Sequence, residues 1–118
     1  MGDMQKFEEL VVWKKARKLT ENIYNVTKDK QFSQDRELVS QIRRASVSVM
    51  SNIAEGKERG GGREFAQFLQ IAKGSAGEIR SQLYVAEDQN YIAQKIFEEL
   101  IELSTEVSRM LSGLIKKL

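Results

Sequence analysis

The chain contains no cysteine and no histidine. Without thiols there is neither a disulfide framework nor a thiolate metal site. Without imidazoles there is no Ser-His-Asp triad, no Cys-His pair and no histidine-based zinc site. Carboxylate and lysine chemistry survive that exclusion, but no nucleophile–base pair is visible. Glu55, Glu58 and Glu64 flank one turn at a scattered spacing that matches no calcium loop. No catalytic residue, no metal ligand and no cofactor is therefore expected. Proline is absent too. Its absence removes the strongest helix breaker and leaves glycine to mark the turns. There is no apolar run long enough to span a bilayer, and the start MGDMQKFEEL lacks a signal-peptide core. The expected setting is cytoplasmic and reducing, with no membrane contact. Excess charge is small as well: the net charge is +2, which permits nucleic-acid contact without arguing for it.

What is present is helix-forming. Of 118 residues, 41% are hydrophobic and 31% charged, which fits a folded helical domain rather than a disordered chain. The stretch 41–56, QIRRASVSVMSNIAEG, is the centre of the pattern. Ile42, Ala45, Val49 and Ile53 repeat at helical spacing, and Ser46, Met50 and Ala54 widen the seam. Arg43, Arg44, Asn52 and Glu55 sit within this surface and need partners if it is covered.

The periodicity predicts four helices, at about 8–27, 34–56, 63–89 and 93–117, in one domain covering 1–118. In the first, Val12, Ala16, Leu19, Ile23 and Val26 share a face, with Trp13 and Tyr24 on its shoulders. Lys14, Lys15, Arg17 and Lys18 form a basic run that reads as a solvated face or as a phosphate-contact surface. Ser33 or Asp35 is placed to cap the second helix, Phe32 to pack back on its start, and Gly56 to end it in a left-handed cap. Residues 57–62, KERGGG, read as a flexible turn. The rival reading is an anion-holding turn beside a helix N-terminus.

The third helix carries the cleanest heptad: Phe65, Leu69, Ala72, Ala76, Ile79, Leu83 and Ala86. Gly74 and Gly77 interrupt it, which suggests close approach of a neighbouring helix, with a break at Gly74 as the alternative. Asn90 marks a turn and Tyr91 is expected to pack at the bundle end. On the fourth helix Ile96, Leu100, Leu103, Val107, Met110 and Leu114 form the expected seam, with Phe97, Ile101, Leu111 and Ile115 beside it.

Short connections between the helices give an all-α, antiparallel up-down-up-down four-helix bundle. That topology gathers an excess of basic residues at the end holding both termini and the KERGGGR turn, and an excess of acidic residues at the other. Lys14, Lys15, Lys57, Arg59, Arg63 and Lys117 are the candidate nucleic-acid contacts. Arg44 and Glu55, three turns apart, cannot pair within their helix. Arg43, Arg44, Asn52 and Glu55 therefore read as structural or interface polar residues ahead of a ligand site. The second, third and fourth helices offer more apolar surface than one bundle needs, which points to self-association.

Several motifs together resemble one family. They are FEELVVWKKA at 7–16, Tyr24, QIRRA at 41–45, SNIAEG at 51–56, Arg59, Glu64 and Phe65 with Phe68 and Leu69, IAKGS at 71–75, Glu78 and Ile79, Met110 and Leu111, and Gly113 and Leu114. In these the chain resembles the 23S rRNA-intervening-sequence proteins, and is similar to the accessory variability proteins of diversity-generating retroelements. It departs from the pattern at Ser33, where proline is usual, at Gly62, where serine is usual, and at Ala76 and Gly77, where a larger apolar pair is usual. The resemblance implies a four-helix bundle assembling as a barrel-like homopentamer, with no enzymatic activity. The likeness to the retroelement branch, which binds nucleic acid and a reverse transcriptase through a basic surface, adds RNA or DNA as an expected partner. A protein partner such as a polymerase or reverse transcriptase, gripped without nucleic-acid contact, is the alternative.

Overall fold

The computed structural model describes residues 5–118. The first four residues of the stretch MGDMQKFEEL lie outside the described residues. A 3-10 turn at Phe7–Glu9 leads into α1 (Val11–Thr27), and a second, at Phe32–Gln34, leads into α2 (Arg36–Arg59). After these come α3 (Gly62–Asp88) and α4 (Gln94–Lys117), with no strand among the described residues. Helices α1 and α3 each pack against both α2 and α4. The result is an antiparallel four-helix bundle measuring 51 × 20 × 20 Å.

The core follows the apolar periods. Val12, Ala16, Leu19 and Ile23 of α1 meet Ile42, Ala45, Val49 and Ile53 of α2. From α3 come Phe65, Leu69, Ala72, Ala76, Ile79 and Leu83. Burying a side chain such as Leu19 or Ile53 completely contributes about 1.5–3 kcal/mol, and both are 0% exposed. A smaller cluster of Phe32, Leu38 and Ala86 closes the end away from the termini. There Asp35 caps α2, its Oδ1 accepting the Leu38 N–H at 3.1 Å. Asn90 turns the chain with φ 61°. Tyr91 then lies 5.1 Å from the Phe32 ring and donates its hydroxyl to Asp35 Oδ2 at 3.0 Å.

Four local expectations are corrected. Helix α1 begins at Val11 rather than Glu8, because Leu10 takes extended backbone (φ −69°, ψ 129°) that tucks its side chain into the core. Glu8 and Glu9 lie in the 3-10 turn, where the Glu9 carboxylate accepts the Lys6 N–H at 2.8 Å.

Gly56 does not end α2. It is buried inside the helix, and a β-carbon there would stand 2.7 Å from Phe68 Cβ and 3.0 Å from Phe65 Cδ1. Its lack of a side chain is what lets α2 and α3 approach. The left-handed cap is Gly60, at φ 83°. The break is correspondingly short, since Gly61 caps α3 and Gly62 already belongs to it.

Gly74 and Gly77 do not mediate a helix contact. A β-carbon on Gly74 would meet nothing within 4 Å, and one on Gly77 would meet only Arg80 Nη2, at 3.8 Å. Helix α3 runs unbroken past both. The buried small residues of α3 are Ala72, Ser75, Ala76 and Ala86.

The seam of α4 is rotated from the expected one. Phe97, Leu100, Ser104, Val107, Ser108 and Leu111 are buried. Leu103, Met110 and Leu114 are only partly buried, and Ile96 is exposed. The reason is polar: Ser104 and Ser108 face α3 because they hold a side chain there, so the buried line includes two serines.

Candidate nucleic-acid interface

The antiparallel topology places the start of α1, the end of α2, the start of α3 and the end of α4 at one end of the bundle. All six candidate cations belong to these segments. A cleft of about 500 Å³ lies among them, lined by Lys6, Leu10, Lys57, Gly60, Phe65 and Leu114 together with further residues of the same segments.

Their environments differ. Lys14, Arg63 and Lys117 are exposed and make no ion pair among the described residues. Lys15 pairs with Glu106 of α4 at 3.4 Å. This is a surface bridge of the kind that adds little stability. The Lys57 ammonium lies 5.8 Å from the centre of the Phe65 ring. Arg59 is the most committed: Nη2 meets Glu55 Oε2 at 2.9 Å and Nη1 meets Glu64 Oε2 at 3.4 Å. Its guanidinium also lies 5.2 Å over the Phe68 ring. The hydrogen bond that Arg59 donates to Glu55, then the charge of that carboxylate, raises the Arg59 pKa above its ordinary value. Arg59 thus ties α2 to α3 across the Gly60–Gly61 break.

The four interface polar residues divide likewise. Arg43 is used inside the subunit: its Nε donates to Thr27 Oγ1 at 2.9 Å and its guanidinium lies 4.5 Å over the Tyr24 ring. Asn52 donates to Ser48 O at 2.8 Å and Ser48 Oγ at 3.0 Å. Ser48 Oγ in turn lies 2.9 Å from Ser75 Oγ, so these polar groups are satisfied along the α2–α3 seam. Glu55 is taken by Arg59. Arg44 is exposed, lines a cleft with Gln41, Ser48, Glu78 and Gln82, and makes no ion pair among the described residues.

Sequence reasoning passed over Arg80. It is half-buried between α3 and α4, with Nη1 donating to Ser104 O at 3.2 Å, Ser104 Oγ at 3.1 Å and Ser108 Oγ at 2.8 Å. The Ser104 hydroxyl donates onward to Ala76 O at 3.0 Å. The available signal was the pair Ser104 and Ser108, one turn apart on the apolar side of α4.

Comparison with known proteins agrees with this architecture. The family model described as 23S rRNA-intervening sequence protein matches residues 8–113. Among solved structures, one neighbour is a protein of unknown function from the S23 ribosomal protein family of Bacteroides thetaiotaomicron. It is 27% identical, with a TM-score of 0.81 over 90% of this chain and 99% of that one. No curated protein matches the chain.

Proposed function

Since the chain belongs to the 23S rRNA-intervening sequence protein family, we propose that it is a non-enzymatic, homo-oligomeric scaffold that holds nucleic acid, RNA first, on the basic end of its bundle. The observation that carries this reading is the convergence of Lys14, Arg63 and Lys117 at one end, exposed and without a described carboxylate partner. Such cations are available for phosphate oxygens, whereas Lys15 and Arg59 already have acidic partners. Lys57, over Phe65, lines the cleft beside them.

Self-association is supported by apolar surface outside the core. Val11, Val47, Ile71 and Val85 are exposed by 57%, 40%, 53% and 44%, apolar surface that a second copy would cover. Copies arranged in a closed ring would repeat the basic end and multiply weak phosphate contacts. The test pairs solution mass with RNA retention as salt is raised. Assembly above the 13.5 kDa chain mass, with affinity that falls steeply with salt, is the expected result. Monomers, or retention indifferent to salt, refute it.

A second reading draws on part of the same apolar surface. Ile71 and Val85 are exposed apolar residues of α3 that a protein partner would cover without nucleic acid. Capture of a defined partner that survives nuclease, with no RNA bound by the purified chain, selects that reading.

A further inference from the structure

We propose that the free edge of Arg80 is a phosphate-binding site in the groove between α3 and α4. Its Nη1 is anchored by the two serines of α4, and all three acceptors are uncharged. A guanidinium carries five N–H donors. Nε and Nη2 of Arg80 have no acceptor among the described residues, and no described carboxylate pairs with it. A cation drawn partly out of water is ordinarily paired. Here hydroxyls fix one arm of the fork and leave the charge unneutralised. The remaining edge has the geometry that takes two oxygens of an oxyanion side by side.

Gly77 keeps that edge open. A β-carbon there would rest in ordinary contact with Arg80 Nη2, at 3.8 Å, and with nothing else, so a branched side chain would crowd the guanidinium edge that glycine leaves bare, while glycine brings no helix closer. Helix α3 gives up about 1 kcal/mol of propensity at this position relative to alanine, and packing does not recover it. Lys73 precedes Arg80 by two turns on the same side of α3, about 10.5 Å along the axis, and makes no ion pair among the described residues. Glu87 follows Arg80 at the same spacing, so the fork geometry rather than an excess of charge is what suits a phosphate.

The phosphate comes either from a nucleic-acid backbone or from a free anion. The first source rests on the nucleic-acid reading above; the second does not. The test follows the Arg80 Nε–Hε NMR signal of the full chain during titration with inorganic phosphate and, separately, with a short single-stranded RNA. Parallel titrations use Gly77→Val, followed at the same signal, and Arg80→Lys, followed at the backbone amide signals of residues 77 and 80. A saturating shift of the Arg80 signal is expected. Gly77→Val is expected to melt no lower than about the wild-type temperature, because valine is no worse a helix former than glycine. It keeps the Arg80–serine bonds and still binds about tenfold more weakly, as does Arg80→Lys, which retains charge but loses the fork. Response to RNA alone assigns the backbone; response to both admits the free anion. An Arg80 signal that neither probe moves, or an undiminished response in Gly77→Val, overturns the site. RNA retention that depends on Arg63 but not on Arg80, with no shift of the Arg80 signal in phosphate, removes this site and leaves the basic end standing.

Discussion

Gly56 of α2 lies directly against Phe68 of α3, with only 2.7 Å available between Phe68 Cβ and the position a β-carbon on Gly56 would take. Real side chains do not approach so closely, so Gly56→Ala must push the two helices apart or displace Phe68. Overpacking of this kind costs about 1–3 kcal/mol. Gly74→Ala is the control. Its β-carbon meets nothing within 4 Å, and alanine is the better helix former by about 1 kcal/mol. Urea denaturation should show the first variant destabilised and the second stabilised. The same sign for both would contradict the α2–α3 geometry.

Ser104 is completely buried and is both donor and acceptor, giving its proton to Ala76 O at 3.0 Å and receiving Arg80 Nη1 at 3.1 Å. Ser104→Ala removes both bonds and leaves the Ala76 carbonyl with one fewer partner. A loss of about 1–3 kcal/mol in unfolding free energy follows from the lost bonds and the poorer satisfaction of Arg80. Ser112→Ala, at a part-exposed position on the same helix, should change stability little. Equal melting temperatures for wild type and Ser104→Ala would show that the α3–α4 network is not formed.

Asp35 joins two functions at the far end: it caps α2 and accepts the Tyr91 hydroxyl. That hydrogen bond first, and burial second, raise the Tyr91 pKa above the ordinary 10.0. The fold therefore prefers the protonated phenol. Its contribution is fully present below the unfolded-state pKa and is lost as pH rises through the higher folded-state value. Wild type should lose stability relative to Tyr91→Phe in the alkaline range above about pH 10. Ultraviolet difference titration of the two proteins should place the Tyr91 ionisation above 10.0. An ionisation at or below that value would mean the Asp35 bond is absent. Removing the cap itself, with Asp35→Ala, should cost about 1 kcal/mol at neutral pH.

The helices were legible because apolar spacing reports burial directly. The heptad of α3 from Phe65 to Ala86 is buried at every expected position, and of the two candidate caps, Ser33 and Asp35, it is Asp35 that caps α2. What escaped were choices between equivalent chemistries. Gly56 and Gly60 are both plausible helix ends. Only the Phe68 contact, fifty-six to sixty-eight in the chain and thus non-local, makes Gly56 an interior residue. Two glycines on α3 look like a packing motif, yet they face away from the neighbouring helices. Leucines outrank serines in any reading of α4, so a seam through Leu103 and Met110 looked better than one through Ser104 and Ser108. The partner that decides it, Arg80, sits on another helix. For the same reason six cations of like type looked interchangeable, although the carboxylates of Glu55, Glu64 and Glu106 distinguish them.

That distinction yields the prediction most useful for function. Arg59 is held by two carboxylates, while Arg63 has no ion pair among the described residues. If the basic end binds RNA backbone, a phosphate competes with Glu55 and Glu64 at Arg59 but with water alone at Arg63. Arg63→Gln should then weaken RNA binding more than Arg59→Gln. It should also lower the salt slope by about 0.7 for a single strand, one phosphate contact's worth per chain. Stability should move the other way. Arg59→Gln disrupts the link between α2 and α3, whereas Arg63→Gln removes a positive charge from the N-terminal turn of α3, where the helix dipole disfavours it. Filter binding across a salt series, with thermal melts of the same proteins, measures both. A larger binding loss at Arg59 than at Arg63 would reverse the assignment and make the carboxylate-held arginine the contact.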